Sequence, residues 1–369
     1  MAYGTVNADV IQSSVSGVSL GAGNASIMKN RIINGAMVID QRNAGASATI
    51  TSDGQYTLDR WQASMSASSK FSVQQSSTAP AGFVNSLKVT SLAATTVGST
   101  DYYTLNQIVE GYNSADLNWG TANAKTVTFS FWVQSSLTGT FGGIFTNASI
   151  NRTYPFTYTI SSANTWEQKT ITIAGDTSGT WGTTNGAGIY IAFGLGVGSS
   201  LSGTANAWAS AFYRSATGAT SVVGTNGATF YITGVQLEVG TSATGFEYRQ
   251  YQQELALCQR YYEKSYNTDV AVATSTNDGA VIFTGSCDGG GRVYLPITYK
   301  VSKRAGPTVT TYTTGGTSGS WGYSRSGASG TGAAGSGWLG TNNFFVDVTT
   351  GGTWVAAQVN GHWTSSAEL

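Results

Sequence analysis

Residues 126–133 read Thr-Val-Thr-Phe-Ser-Phe-Trp-Val, which puts Val127, Phe129, Phe131 and Val133 on one side and Thr and Ser on the other until Trp132. A period of two cannot form one face of a helix; it demands a strand with a buried side. The pattern returns at 170–173 (Thr-Ile-Thr-Ile) and at 189–193 (Ile-Tyr-Ile-Ala-Phe). At 230–239 it changes phase. Phe230 and Ile232 share one parity, whereas Val235, Leu237 and Val239 share the other, with Gly234 between them. A one-residue phase change at a glycine predicts a β-bulge. Many such strands, with turn signals such as Asn34-Gly35 between them and no intervening helical pattern, predict a mainly β fold, an antiparallel sandwich.

One segment breaks the pattern. In 248–264, Tyr251, Leu255, Cys258 and Tyr262 fall at i, i+4, i+7 and i+11, one stripe of a four-turn helix. It predicts a linking helix over 249–265, between a sandwich over 31–248 and a smaller C-terminal β domain over 266–369. A helix of four turns is marginal alone. Its stripe either packs on its own sandwich or is buried by three copies around an axis, and the expectation carried forward is a homotrimer with these four residues at the interface. The last domain is expected to open with 270–273 and 280–283 as strands. In it Val293, Leu295 and Ile297 alternate around an edge-type Pro296, and glycine-rich loops are expected over 315–340.

Composition narrows the function. With 18 basic and 18 acidic residues in 369, the chain is neutral and only 10% charged. Duplex nucleic acid requires a basic face, and none is visible. No run of 18 apolar residues occurs, so no membrane insertion is expected. Cys258 and Cys287 are expected as buried small hydrophobes rather than a disulfide framework, which fits synthesis in a reducing cytoplasm. Residues 1–9 lack the charged start of a secretory signal. Residues 1–30 contain only Asp9 and Lys29 as charges and no steady period. A flexible tail and an arm ordered by docking on another chain both fit them; the second is the expectation.

Four motifs in order carry a resemblance: Arg31-Ile-Ile-Asn-Gly-Ala-Met-Val-Ile-Asp-Gln-Arg; Leu58-Asp-Arg-Trp61; Gly234-Val-Gln-Leu-Glu-Val-Gly with Phe246-Glu-Tyr-Arg; and Cys258-Gln-Arg-Tyr-Tyr-Glu. Together they resemble bacteriophage tail-fibre and related virion proteins. The ending Gly361-His-Trp-Thr-Ser-Ser-Ala-Glu-Leu is a looser match. The resemblance implies a jelly-roll sandwich similar to a carbohydrate-binding module, and a structural virion protein, commonly trimeric, with a distal part that meets the host. In that reading residues 1–30 attach to another virion protein and the C-terminal region contacts a host cell-surface glycan. Tail fibre is the first reading and head fibre or capsid decoration protein the alternative; a polysaccharide depolymerase is the rival of another class.

Catalytic sets are poorly supported. The single histidine, His362, would have to serve any Ser-His-Asp or Cys-His arrangement, and no nucleophile motif accompanies it. Glycosidases need only two acids flanking a bond; Glu110, Asp116, Glu167 and Asp176 are candidates that nothing in the sequence brings together. Gly194-Leu-Gly-Val-Gly follows a strand but precedes no helix, so it reads as a turn rather than a nucleotide loop. Asp176, Glu238, Asp278 and Asp288 raise the question of calcium, but no Asp-x-Asp-x-Asp loop appears. No enzyme, cofactor or metal site is expected.

Aromatic residues remain. Sugar rings present apolar C–H faces to Trp or Tyr, and an uncharged glycan needs no charged site. Trp321, Tyr323, Trp338 and Trp354 lie in the charge-poor, glycine-rich stretch and are the candidate glycan contacts, against core or interface packing for each.

Overall fold

The computed structural model describes residues 29–352 and 355–369. The arm of residues 1–30 therefore lies outside the described residues save for its last two. The first unit is an antiparallel β-sandwich of the jelly-roll type. One sheet has the order Ala48–Thr49, Phe71–Ser76, Ser86–Ser91, Thr229–Val239, Val127–Ser135 and Glu167–Ile173. The facing sheet has the order Gln55–Tyr56, Trp61–Met65, Tyr102–Glu110, Ala187–Val197, Gly139–Thr146 and Thr153–Ile160.

Alternation in the sequence becomes the core between these sheets. Val127, Phe129, Phe131 and Val133 are fully buried. Phe129 meets Phe145 edge-on at 5.1 Å, and Phe131 meets Phe193 edge-on at 5.0 Å. Each such pair adds about 0.5–1.5 kcal/mol beyond its buried area. The Thr and Ser face of the same strand is also covered: Thr128 and Ser130 are buried, and Thr128 donates to the Gly240 carbonyl.

The bulge lies where the phase changes. Register between Thr229–Val239 and Val127–Ser135 slips between Thr233 and Gln236. Gly234 has φ +59°, and a Cβ there would lie 2.6 Å from Phe83. Phe230, Ile232, Val235 and Leu237 all point inward despite their mixed parity. The extra residue also opens the ladder to the segment that follows Lys29: Val235 N–H donates to the Gly35 carbonyl and Arg31 N–H to the Leu237 carbonyl. Residues 33–36 form the turn that Asn34-Gly35 signals. Asn34 holds it, with Nδ2 donating to the Ile39 and Asp59 carbonyls and Oδ1 accepting from Ile39 N–H.

The helix is shorter than its periodicity predicts. It spans Tyr251–Gln259, and Tyr262–Lys264 is already a strand of the second unit. Stripe residues part accordingly: Tyr251 is exposed, while Leu255, Cys258 and Tyr262 are buried within the same chain. Leu255 and Cys258 pack with Ile33, Ile39 and Tyr261. Three of the four stripe residues are therefore packed within one chain, and Tyr251 is left to solvent. Among the described residues no helix is long and apolar enough to cross a membrane.

The second unit is a curled antiparallel sheet built on Ala357–Ser366. That strand pairs with Tyr262–Lys264, Val281–Gly285, Thr308–Tyr312 and Ser320–Arg325, and the sheet continues through Ala328–Gly337, Asn343–Thr349 and Arg292–Thr298. Two expectations fail here. Residues 270–273 form no strand, and the Val270 carbonyl instead accepts from the Lys264 ammonium. The glycine-rich stretch is largely strand rather than loop, because bulky neighbours lie across its bare backbone. A Cβ on Gly337 would fall 2.5 Å from the Phe345 ring, and one on Gly335 2.4 Å from the Asp347 carboxylate.

Charged side chains join the two units. Arg60, buried in the sandwich, pairs with Glu368, donates to the Ile108 carbonyl at 2.5 Å and lies 3.6 Å over the Tyr261 ring. Arg42 reaches Glu368 at 2.9 Å and lies 3.7 Å over Tyr262. Arg260 forms a two-bond fork with Glu110 at 2.8 and 2.6 Å, and Tyr261 donates to the same carboxylate. Burial alone would raise Glu110; the bonds from Arg260 and Tyr261 bring it below the usual carboxylate range. Behind them Lys303 and Glu263, both buried, pair at 2.5 Å, and Lys303 also donates to the Gln259 and Val301 carbonyls.

A buried pair contributes little against an apolar pair of the same shape, but losing one partner strands the other charge. Lys303→Met is therefore expected to destabilise the protein by about 3–5 kcal/mol in urea unfolding. Lys303→Met with Glu263→Leu is expected to recover much of that loss. A single variant as stable as the parent would show that Glu263 and Lys303 are not coupled in the folded protein.

Candidate functional site

Outward-facing residues of the second sheet form a surface unlike the rest of the molecule. Along Arg292–Thr298 the burial alternates strictly, so Arg292, Tyr294 and Pro296 face out while Val293, Leu295 and Ile297 enter the core. Register places Tyr294 opposite Asp347 and Pro296 opposite Phe345, then Asp347 opposite Gly335 and Phe345 opposite Gly337. The third strand carries no side chain at those positions, so the surface is flat there.

Trp338 follows at the end of that strand. It is 87% exposed, with φ +47°. Its ring stands edge-on to Phe345 at 5.1 Å, and Phe345 is edge-on to Tyr294 at 5.7 Å. Tyr294, Pro296, Trp338, Asn343, Phe344 and Phe345 line a shallow depression of about 330 Å³. Polar groups border it. Arg292 pairs with Asp347 at 3.2 Å. The Tyr294 hydroxyl donates to Asp288, whose carboxyl is held below its ordinary value by the Arg292 N–H and then by Tyr294 and the Gly290 N–H.

The four candidate glycan contacts separate. Trp338 lies on this surface, at one end of the row of rings. Trp321 does not: it is fully buried, donates to the His362 carbonyl at 2.9 Å and covers Gly361, where a Cβ would fall 2.4 Å from its ring. Tyr323 packs beside the core of the second unit, its hydroxyl over Gly330, where a Cβ would fall 3.0 Å from it, and Arg325 lies 5.3 Å over its ring. Trp354 lies outside the described residues. Tyr294 and Phe345 share the surface with Trp338 and are not among the residues singled out from the sequence, although the alternation of 293–297 turns Tyr294 outward.

The other candidates have structural partners. His362 is fully buried and stacked on Tyr266 at 3.8 Å. Its Nε2 is 3.0 Å from the Thr276 carbonyl, which can only accept, so Nε2 carries the hydrogen and Nδ1 accepts from the Ser265 hydroxyl at 3.1 Å. A carbonyl rather than a carboxylate orients this imidazole. Glu110, Asp116, Glu167 and Asp176 each hold a different cation: Arg260, Arg31, Lys169 and Arg152. Gly194 and Gly196 lie within a strand rather than a turn, and Ser215 and Val223 of a crossing segment rest on them. Among the described residues no three Asp, Glu, His or Cys side chains gather as a metal site.

No protein family and no curated protein matches this sequence. Among solved structures, the enzymatically active domain of bacteriophage CBA120 tailspike protein 4 is similar at 13% identity and a TM-score of 0.32 over 57% of this chain, which spans 21% of the tailspike chain. A family 11 carbohydrate-binding module from Clostridium thermocellum, in complex with a β-1,3-1,4-mixed-linked tetrasaccharide, is similar at 13% identity and a TM-score of 0.28. That match covers 54% of this chain and 97% of the module.

Burial pushes His362 below its ordinary value against the opposing bond to Thr276. The unfolded chain then binds this proton more readily than the folded one, so stability falls as pH drops through the ordinary histidine range near about 6.5. Asp59, which burial pushes up to about 6, acts in the opposite sense between its ordinary value and that pH. His362→Phe keeps the stack on Tyr266 and removes the titration. Between pH 7.5 and 5.5 the parent should lose more stability than His362→Phe. Equal losses in urea titrations would show that His362 is not held neutral.

Proposed function

We propose that this chain is a non-enzymatic virion appendage protein that binds a host-surface glycan on the outer face of its C-terminal sheet. The observation that carries the binding reading is the exposed row of Trp338, Phe345 and Tyr294. A bulky residue at positive φ costs on the order of 1–3 kcal/mol, and such strain concentrates at functional positions. Gly or Asn would hold the same backbone at lower cost; Trp adds an apolar ring facing water. Aromatic faces beside hydrogen-bonding groups suit sugars, and the shallow depression suits a ligand that stacks rather than one that is enclosed.

The appendage part of the reading rests on the four sequence motifs, which leave tail fibre and head fibre both open. Trimeric assembly and attachment through residues 1–30 rest on the same resemblance, since three of the four stripe residues are buried within one chain. A binding rather than depolymerising role is supported by the separate cation held by each candidate acid.

Trp338→Gly separates binding from folding. Removing the strained side chain is expected to leave unfolding free energy unchanged or raise it by about 1 kcal/mol, while retention on host polysaccharide and adsorption of particles to host cells are lost. In the parent, retention should change little between low and moderate salt, because stacking displaces no counterions. Unchanged adsorption by Trp338→Gly would falsify the assignment, and release of reducing ends from the polysaccharide would replace binding by catalysis.

A further inference from the structure

We infer that the Trp338–Phe345–Tyr294 surface takes a neutral glycan chain of at least two sugar units in a fixed register, with rings stacked at the Trp338 end and hydroxyls held by Arg292 and Asp347. The inference deepens the proposed function and rests on it.

Three aromatic rings follow one another at centroid steps of 5.1 and 5.7 Å. A single pyranose, about the size of one of these rings, covers one position of the row and leaves the others wet. Polar groups mark the far end. Asp347 is two residues beyond Phe345 on the same strand face, about 7 Å away, and Gly335 beside it lets the carboxylate lie flat across the neighbouring strand. Its ion pair with Arg292 is long, at 3.2 Å, and the Arg292 side chain is half-exposed. Vicinal hydroxyls each donate and accept, so one can give to Asp347 while its neighbour accepts from Arg292. An apolar end and a donor–acceptor end along one row distinguish two ends of a chain, which a single stacking ring cannot do.

Charge decides the class. Two carboxylates stand at this end against one guanidinium: Asp347 pairs with the Arg292 side chain, and Asp288 accepts from the Arg292 backbone N–H and the Tyr294 hydroxyl. A uronic or sialic acid placed there would meet like charge, which disfavours it more than any stacking at the other end discriminates. Flatness argues against a protein partner. The third strand offers Gly335 and Gly337 where a protein interface would place side chains, and the cluster of rings is small beside the roughly 800 Å² per partner of a stable interface.

The test uses the full chain on an array of immobilised mono- to hexasaccharides, both neutral and uronic-acid-containing, followed by titration with the glycans it retains. Retention of neutral chains, with the disaccharide or longer bound at least tenfold more tightly than the monosaccharide, is expected. Asp347→Asn should weaken chain binding about tenfold or more, reduce the preference for chain over monosaccharide, and admit acidic chains. Equal affinity for monosaccharide and chain, a preference for acidic glycans, or an unchanged Asp347→Asn would overturn the inference while leaving glycan binding intact. Loss of self-association in Trp338→Gly by light scattering would show instead that a second copy covers this face. Retention of no glycan by the parent protein would overturn the proposed function together with the inference.

Discussion

Glu368, near the end of the second unit, enters the sandwich between two arginines, and much of the structure depends on that contact. Arg60 and Arg42 close on its carboxylate from one side, while Tyr261 and Tyr262 stack beneath the two guanidinium groups. Such a cluster gains little over apolar packing in free energy, but its geometry is narrow, since Arg42 and Arg60 each hold a different oxygen of one carboxylate and Arg60 also reaches the Ile108 carbonyl. In a chain with so few charges, a cluster of them at one place sets how the units meet more firmly than an apolar seam would. Arg304 completes the clamp by donating to the Ala367 and Glu368 carbonyls and, at 3.0 Å, to the Asn185 carbonyl of the sandwich.

The motifs that carry the resemblance gather around this joint. Gln41 bonds Asp59 and the Tyr262 carbonyl; Asp59 and Arg60 belong to the second motif and Arg260 to Glu263 to the fourth. Arg249, from the third, pairs with Glu254 and donates to the carbonyls of Asn30 and Ile32. Segments far apart in sequence are thus recognisable because they build one buried polar assembly. Their chemistry is that of a joint rather than a ligand site. The proposed ligand surface lies elsewhere, on the side of the second sheet that is left to water.

What was legible follows from what each pattern depends on. Period-two burial is local, so the strands around Phe129, Ile171 and Ile191 and the bulge at Gly234 could be read directly. The helix was overextended because Tyr262 continues its period; only the pairing of Tyr262 with Ser366 and the contact with Arg42 draw it into a strand. Trp321 and Trp338 look alike in sequence, each among glycines. Register separates them: Trp321 rests on Gly361 from a distant strand, which no local pattern reveals. Phe344 and Phe345 are adjacent and must face opposite sides of a strand, so one outward ring was implied there; which of the two it is depends on pairing with Pro296.

The central claim is that the outer face of the C-terminal sheet, and not the sandwich, meets the glycan. Hydrogen-exchange mass spectrometry of the full chain, with and without a glycan that it retains, tests this most directly. Slowed exchange confined to residues 288–296 and 335–347 is the predicted result. Slowed exchange confined instead to the sandwich strands, such as Tyr102–Glu110 or Ala187–Val197, would contradict the account.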